Sequence, residues 1–428
     1  LLLEAGFRVI ALGIVPTPTA QVIVQHLNCG GGIVITGSHN PPAWNALKFL
    51  GRAGIFWSQA QMRWLQELAE YELSPERRGG GWWGEMREAT RLHLRHVLRV
   101  TDVALIRSRR WRVAVDVGNG AGGQILPELL RHLGCEVETL HGEIAGSFAR
   151  LPEPAPGNLE ALCARVREGK FDLGLACDAD ADRLALVHCA GAVGEEITLP
   201  LVAETVLGRG KGKLRRRVVV TNLSTSSLIE EVARRHAADI VRTPVGERYV
   251  VEEIAVQKAV LGGEGNGGVI YPPLHLGRDA VVAAALVLES LSRLGCSLRD
   301  WLAAYPPLFM HKEKYQLREQ GELFEVVETL RRMLPRGREN FADGWYVRWP
   351  WGWLHLRISR TEPLLRVVLE TDEKKKMQAL RRVVKLILRE HVPKRTNEDA
   401  GGKRAKLNFN NHGQNHRATF RLLEKEKS

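Results

Sequence analysis

Arg112-Val113-Ala114-Val115-Asp116-Val117-Gly118-Asn119-Gly120-Ala121-Gly122-Gly123 is the stretch that decides the fold class. An apolar run of strand length, 112–117, ends in a glycine-rich turn, and a helical stretch near residues 124–133 follows. The same order recurs at 218–220, with a helix near 228–236. Strands alternating with helices predict α/β layers with largely parallel sheets. Three such blocks can be drawn: 1–95, 96–198 and 199–305. After Tyr305-Pro306-Pro307 the pattern changes. A helix near 323–333, paired strands near 345–358 and 365–370, and a helix near 376–391 predict a smaller α+β domain over 306–392. Residues 393–428 hold Pro393, Gly401-Gly402, several Asn and little apolar content, and read as a flexible basic tail. The expected class is α/β, with three similar domains of mixed, largely parallel sheets plus the α+β domain.

The chain has 428 residues, enough for several domains. Its 44% apolar and 26% charged residues are ordinary for a globular protein. No apolar run approaches the ~18 residues that span a bilayer, so no membrane role is expected. Six scattered cysteines without a Cys-x-x-Cys fit reduced thiols and a cytoplasmic location, and argue against a zinc site. Net charge is +12, but residues 394–428 carry nine Lys/Arg against four Asp/Glu. The remainder is spread over a large body without an aromatic-plus-basic platform, which argues against nucleic acid. The first residues, Leu1-Leu2-Leu3-Glu4-Ala5-Gly6, read as the end of a helix leading into a strand over 7–12.

Four loops carry chemistry. Thr36-Gly37-Ser38-His39-Asn40-Pro41-Pro42 follows the apolar run 32–35. A Ser there can be exposed as a nucleophile or phosphate carrier, although a plain turn capped by Ser and Asn suits the same residues. Asp178-Ala179-Asp180-Ala181-Asp182-Arg183 follows a strand over 173–177. Three alternate carboxylates can converge on a hard cation such as Mg²⁺; a solvated acidic turn is the alternative. An EF-hand is excluded, because Arg183 and Cys189 stand where it needs Gly and Glu. In Gly262-Gly263-Glu264-Gly265-Asn266-Gly267-Gly268 the glycines allow close backbone approach, and Glu264 and Asn266 could bind sugar hydroxyls. A flexible hairpin fits equally. Arg357-Ile358-Ser359-Arg360-Thr361-Glu362-Pro363, with Arg366 beyond, is a candidate phosphate cradle. A charged turn with Arg357 paired to Glu362 is the alternative.

The turn at 118–123 also matches Gly-x-Gly-x-x-Gly, with Glu136 and Glu138 near the place of a dinucleotide fold's ribose acid. A nicotinamide-dependent oxidoreductase is therefore a rival. It leaves the aspartate triplet and the arginine loop without a role.

Taken together, in this order and over residues 1–392, the loops resemble the α-D-phosphohexomutase family of phosphoglucomutases, phosphomannomutases and phosphoglucosamine mutases. The turn 116–122 resembles the family's structural turn at the start of its second domain. Thr243-Pro244-Val245-Gly246-Glu247-Arg248-Tyr249 resembles its third-domain substrate loop. The resemblance implies four domains around a central cleft. It implies Ser38 as the phosphoserine, with His39, Lys48 and Arg183 at the transferring phosphoryl. Asp178, Asp180, Asp182 and an oxygen on Ser38 would hold Mg²⁺. Thr243, Gly246, Glu264 and Asn266 would meet the sugar, and Arg357, Ser359, Thr361 and Arg366 the other phosphate. It further implies hexose phosphates as substrates, a hexose 1,6-bisphosphate as intermediate and activator, and a monomer or homodimer. Phosphoglucosamine mutase is the leading expectation. A dual-specificity phosphomannomutase/phosphoglucomutase and a non-catalytic sugar-phosphate-binding product are the alternatives.

Three departures stand out. The family's opening Gly-Thr-Ser-Gly-x-Arg-Gly loop has no counterpart, so an N-terminally truncated chain is expected. Asn266 and Gly268 replace a Ser and a His common in the sugar loop, and His275 or Arg278 is the expected substitute. Arg360 stands at the usual Gly/Asn position of the phosphate loop.

Overall fold

The computed structural model describes residues 1–40, 43–71, 79–144, 147–209, 217–316, 322–359 and 364–391. Pro41, Pro42, Arg360, Thr361, Glu362, Pro363 and the tail 393–428 lie outside them. The chain divides into two compact units, Leu1–Ala304 and Tyr305–Ser428.

The larger unit holds the three α/β blocks. In the second, strands Glu136–Leu140, Arg112–Asp116 and Leu173–Cys177 run parallel, and Leu184–His188 and Gly191–Ala192 add antiparallel. Val113, Ala114, Val115, Leu173 and Leu175 are fully buried. Burial on both faces is why these strands read as continuous apolar runs rather than alternating ones. The third block repeats the plan. Asp239–Thr243, Val218–Asn222 and Leu261–Glu264 are parallel, and Gly268–Ile270 is antiparallel. Each sheet thus places a strand end followed by a short loop, 178–183 or 265–267, on its antiparallel edge.

The first block is more open. Arg8–Ala11 pairs in parallel with Trp82–Glu85, and Gly31–Ile35 pairs antiparallel with Leu47–Gly51. Ile33, Ile35 and Leu47 on these strands remain exposed. The expected helix end at the start is one turn closed by a Schellman pattern: Phe7 N–H donates to the Leu2 carbonyl, Gly6 N–H to that of Leu3, and Gly6 has φ 82°.

Helix Ala280–Leu294 holds the unit together. It is apolar nearly all round and buried from Ala280 to Ser292, as such a helix must be. Asp279 Oδ1 caps it through Val281 and Val282 N–H. The other oxygen of Asp279 meets His93 Nε2 at 2.9 Å and His275 Nε2 at 3.2 Å, while His93 Nδ1 lies 2.9 Å from Thr19 Oγ1. This brace ties the first block to the third.

The smaller unit is an antiparallel sheet in the order Phe309–Gln316, Leu364–Thr371, Gly352–Ile358, Trp345–Trp349, Arg338–Asn340. Leu354, Leu356, Leu365, Val367 and Leu369 alternate onto the face covered by helices Glu322–Met333 and Lys374–His391, through Val326, Leu330, Leu380, Val384 and Leu388.

Candidate active site

The Ser38 loop leaves strand Gly31–Ile35 in a tight reversal. Asn40 N–H donates to the Gly37 carbonyl, and Ser38 N–H donates to Thr36 Oγ1 at 2.8 Å. A side chain at Gly37 would lie 2.4 Å from the Trp44 carbonyl oxygen, so only glycine fits there. Ser38 itself has φ 53°, an uncommon conformation for a residue with a Cβ and a mark of functional loops. Its Oγ lies 3.5 Å from His39 Nδ1, and that nitrogen lies 3.1 Å from Arg183 Nη2. Lys48, on the paired strand, faces Val34 across the ladder and sends its Nζ to Asp180 Oδ2 at 2.7 Å.

The aspartate loop is not a solvated turn. Asp178, Asp180 and Asp182 are 0%, 4% and 1% exposed. Each carboxylate has one oxygen anchored by a donor from the chain. Asp178 Oδ1 accepts from Asp182 and Arg183 N–H. Asp180 Oδ2 accepts from Thr17 Oγ1 and Lys48 Nζ. Asp182 Oδ2 accepts from Arg278 Nη2 at 2.7 Å. The opposite oxygens, Asp178 Oδ2, Asp180 Oδ1 and Asp182 Oδ1, are buried and accept no hydrogen bond. The three residues each offer an oxygen, all within 4.8 Å of one another. Buried oxygens left unbonded are costly, and three converging ones with fixed outer partners are what a hard, oxygen-preferring cation needs. The residues present fit such an ion. A second cluster, His93, His275 and Asp279, has similar spacing, but those groups are spent on the brace described above.

Charge follows this geometry. Burial, then the Asp182 and Asp180 carboxylates, push Asp178 well above the ordinary carboxylate range. Asp182 is buried too, yet the nearby Arg278, Lys48 and Arg183 hold it below that range. Burial opposes charge on Lys48, but Asp180 and Asp182 outweigh it and raise the ammonium above its usual value.

The loop at 262–268 is a buried hairpin rather than a flexible one. Glu264 Oε1 accepts from Asn222 Nδ2 at 2.8 Å and Gly246 N–H at 3.0 Å, and Oε2 from Arg278 Nη1 at 2.9 Å and Asn266 Nδ2 at 3.4 Å. Gly246, at φ 137°, brings its N–H in at the start of helix Glu247–Gln257. Thr243 is buried beside it, its hydroxyl bonded to the Pro244 carbonyl. Gly267 backs onto the aspartate loop's strand: Leu184 N–H donates to its carbonyl. Arg278 reaches the sugar loop, whereas His275 turns to Asp279.

In the smaller unit, Arg357 and Arg366 face each other across adjacent strands, and Lys314 faces Arg366 on the next. Like charges directly opposite are destabilising, and a row of three suits an anion. Arg357 Nε lies 3.7 Å from Asp343 Oδ2. Ser359 N–H donates to the Leu364 carbonyl at 2.7 Å. Thr361 and Glu362 lie outside the described residues.

The glycine turn 118–123 is filled by the protein itself. Asp116 accepts from Gly118 N–H and from Arg150, whose guanidinium lies over Gly118. A Cβ on Gly120 would sit 2.6 Å from the Ala179 carbonyl, to which Ala121 N–H donates. The turn braces the aspartate loop and leaves no room for a pyrophosphate.

Residues 1–75, 91–191 and 195–309 match the models of the phosphoglucomutase/phosphomannomutase alpha/beta/alpha domains I, II and III, and 325–386 that of the family's C-terminal domain. The chain belongs to the phosphoglucomutase/phosphomannomutase family. It is a phosphohexomutase, an intramolecular phosphotransferase of the isomerase class. A phosphoglucomutase/phosphomannomutase of Thermococcus kodakarensis is 33% identical over 90% of this chain and 85% of its own length. A Methanopyrus kandleri protein named "probable phosphoglucosamine mutase" is 34% identical over 88% and 82%. The crystal structure of a family member from Burkholderia thailandensis superimposes with a TM-score of 0.76, at 24% identity over 92% of this chain and 85% of that one, a likeness of fold.

Two residues of this phosphohexomutase site escape sequence reading. Thr17 is marked only by its place between two prolines at a helix start. Asn222, which holds Glu264, ends a buried strand as an unremarked polar residue.

Proposed function

We propose that this phosphohexomutase interconverts hexose 6-phosphate and hexose 1-phosphate through a phosphoserine at Ser38 and a bisphosphorylated sugar. The observation that carries this reading is the set of three buried, unbonded aspartate oxygens, joined to the Ser38 loop by the Lys48–Asp180 and His39–Arg183 contacts. Asp178, Asp180, Asp182 and an oxygen on Ser38 would hold Mg²⁺, which when bound supplies charge neutralisation for the phosphoryl group.

The Ser38 Oγ–phosphorus bond breaks as a bond from the free sugar hydroxyl oxygen to phosphorus forms. The hydroxyl gives up its proton, and Ser38 Oγ takes one. In the second half-reaction the other phosphoryl returns to Ser38, so atoms balance and the enzyme is regenerated. The bisphosphorylated sugar is both intermediate and activator. Lys48, its ammonium raised rather than lowered, suits charge stabilisation better than proton abstraction. His39, whose Nδ1 lies beside Ser38 Oγ and accepts from Arg183 Nη2, is assigned with Arg183 to the transferring phosphoryl. Thr243, Gly246, Glu264 and Asn266 are assigned to the sugar, and Arg357, Ser359, Thr361 and Arg366 to the phosphate that is not moving.

Glucosamine phosphate is the first substrate to test. The Gly-Glu-Gly-Asn-Gly-Gly loop at 263–268 departs from the commonest amino-sugar version, which supports a second reading, dual action on mannose and glucose phosphates. Domain limits at 95/96, 198/199, 305/306 and 392/393, a monomer or homodimer, and a cytoplasmic location belong to the same proposal. Free cysteines agree with the last, and no helix among the described residues is long and apolar enough to cross a membrane.

Mass spectrometry of the purified chain should find phosphate on Ser38, and a coupled assay with Mg²⁺ should show turnover on at least one of the three hexose phosphates. No phosphoserine and no turnover would overturn the reading in favour of a sugar-phosphate-binding product.

A further inference from the structure

Arg278 has donors that reach three of the loops around the site. Nη2 donates to Asp182 Oδ2 at 2.7 Å, in the aspartate loop. Nη1 donates to Glu264 Oε2 at 2.9 Å, in the sugar loop. Nε donates to Glu247 Oε2 at 3.0 Å, and its backbone N–H to Glu247 Oε1 at 3.1 Å, at the start of the helix that follows Thr243–Gly246. Arg278 as a whole is 9% exposed. Its planar fork presents separate N–H groups in fixed directions, so the three carboxylates are set relative to one another by a rigid body. A lysine in its place would offer one point charge.

The consequence concerns Asp182 and Glu264. Asp182 has Oδ2 tied to Arg278, and its Oδ1 is buried and accepts no hydrogen bond. Glu264 is held by the same guanidinium, and its remaining donors come from Asn222, Gly246 and Asn266. A sugar hydroxyl meeting Glu264 must share or displace one of those bonds. A cation on Asp182 Oδ1 withdraws charge from the carboxylate that Arg278 is holding. Each event therefore alters the grip of Arg278 on the other carboxylate.

We propose that Arg278 is a positioning residue that couples cation binding by the aspartate loop to sugar binding at Glu264. The inference rests on the proposed roles of the triad and of Glu264. Coupling of this kind is reciprocal: the factor by which the sugar phosphate changes the affinity for the cation is the factor by which the cation changes the affinity for the sugar phosphate.

The test uses the full chain, dephosphorylated, with Mn²⁺ and glucose 1-phosphate as probes in isothermal titration calorimetry. Each probe is titrated with and without a saturating amount of the other. The wild type should show a change in affinity of about 5-fold or more, by the same factor and in the same sense in both directions. Arg278→Met, with the length but not the fork, should bring the ratio to about one. Arg278→Lys, with the charge but not the fork, should keep a folded protein, checked by thermal melting, and also lose most of the ratio. A wild type that binds both probes without mutual effect overturns the inference, whether or not Arg278→Met folds. So does an Arg278→Lys protein with the full wild-type ratio. A wild type that binds neither probe instead overturns the proposed function, and this inference with it.

Discussion

Lys48 Nζ donates to Asp180 Oδ2 at 2.7 Å across 132 positions of sequence, and this bond places an ammonium between the Ser38 strand pair and the aspartate loop. Lys48→Met should lower kcat by ~10²–10³, the usual effect of removing one charge-stabilising group, with a smaller change in KM. Lys48→Arg should recover part of it. The stability that Lys48 draws from Asp180 and Asp182 is fully present below its unfolded value of about 10.4 and is lost as pH rises through its raised folded value. Lys48 therefore stays charged through the neutral range in the cation-free protein.

The triad predicts stabilisation by a divalent cation. Mg²⁺ or Mn²⁺ at 100 times its Kd should add about 2.7 kcal/mol, read as a rise in Tm, and Asp180→Asn should remove most of it. The sign with pH follows from Asp178. A carboxylate whose folded value is raised costs the cation-free fold stability at pH above its unfolded value, and a cation offsets that cost. Stabilisation by the cation should grow as pH rises through the raised value, and binding should release protons. Calorimetry in two buffers of different ionisation enthalpy measures the release.

Gly267 is a close backbone contact between two loops: Leu184 N–H donates to its carbonyl. Its φ is 83°, and a Cβ there would stand 2.4 Å from the Leu184 carbonyl oxygen. Gly267→Ala should destabilise the larger unit by about 1–3 kcal/mol, measured as a lower unfolding midpoint. It should also weaken cation and sugar binding together, because the loop and the strand move as one. An unchanged midpoint would show that the backbone yields there at no cost.

Glu313 tests the smaller unit. It is partly buried, yet Tyr315, His311 and Arg381 more than compensate and hold its carboxyl down at about 2. For a depressed carboxylate, the stabilisation is present above the unfolded value of about 4.3 and is lost as pH falls towards about 2. Denaturant unfolding at pH 7 and pH 3 should show a steeper acid loss in the wild type than in Glu313→Gln. Equal losses would mean that those partners contribute nothing.

Much of the fold was legible in residue order. The strand over 173–177, the helix near 228–236 and the change of pattern after Tyr305 all follow from periodicity and turn residues, which report burial along one element. The aspartate loop was legible as a metal candidate because its carboxylates alternate within six residues. The fate of the Gly118–Gly123 turn was not legible from its own residues, and only the family resemblance marked it as structural. Its glycine pattern is shared by dinucleotide folds and by a turn that braces a neighbouring loop, and only Arg150 lying over Gly118 separates the two. Nor was the division of labour between His275 and Arg278, three positions apart, since it depends on which way each side chain leaves one loop.

The sequence by itself determined the α/β class and the kinds of chemistry in each loop, because hydrophobic period, turn residues and clustered carboxylates are local properties. Asp178 is anchored within its own loop, but which oxygen of Asp180 and Asp182 is anchored and which is left for a cation was decided only by the tertiary structure. The anchors Thr17, Lys48 and Arg278 come from distant elements, and the register and packing of those elements, not any local pattern, aim each donor at its oxygen.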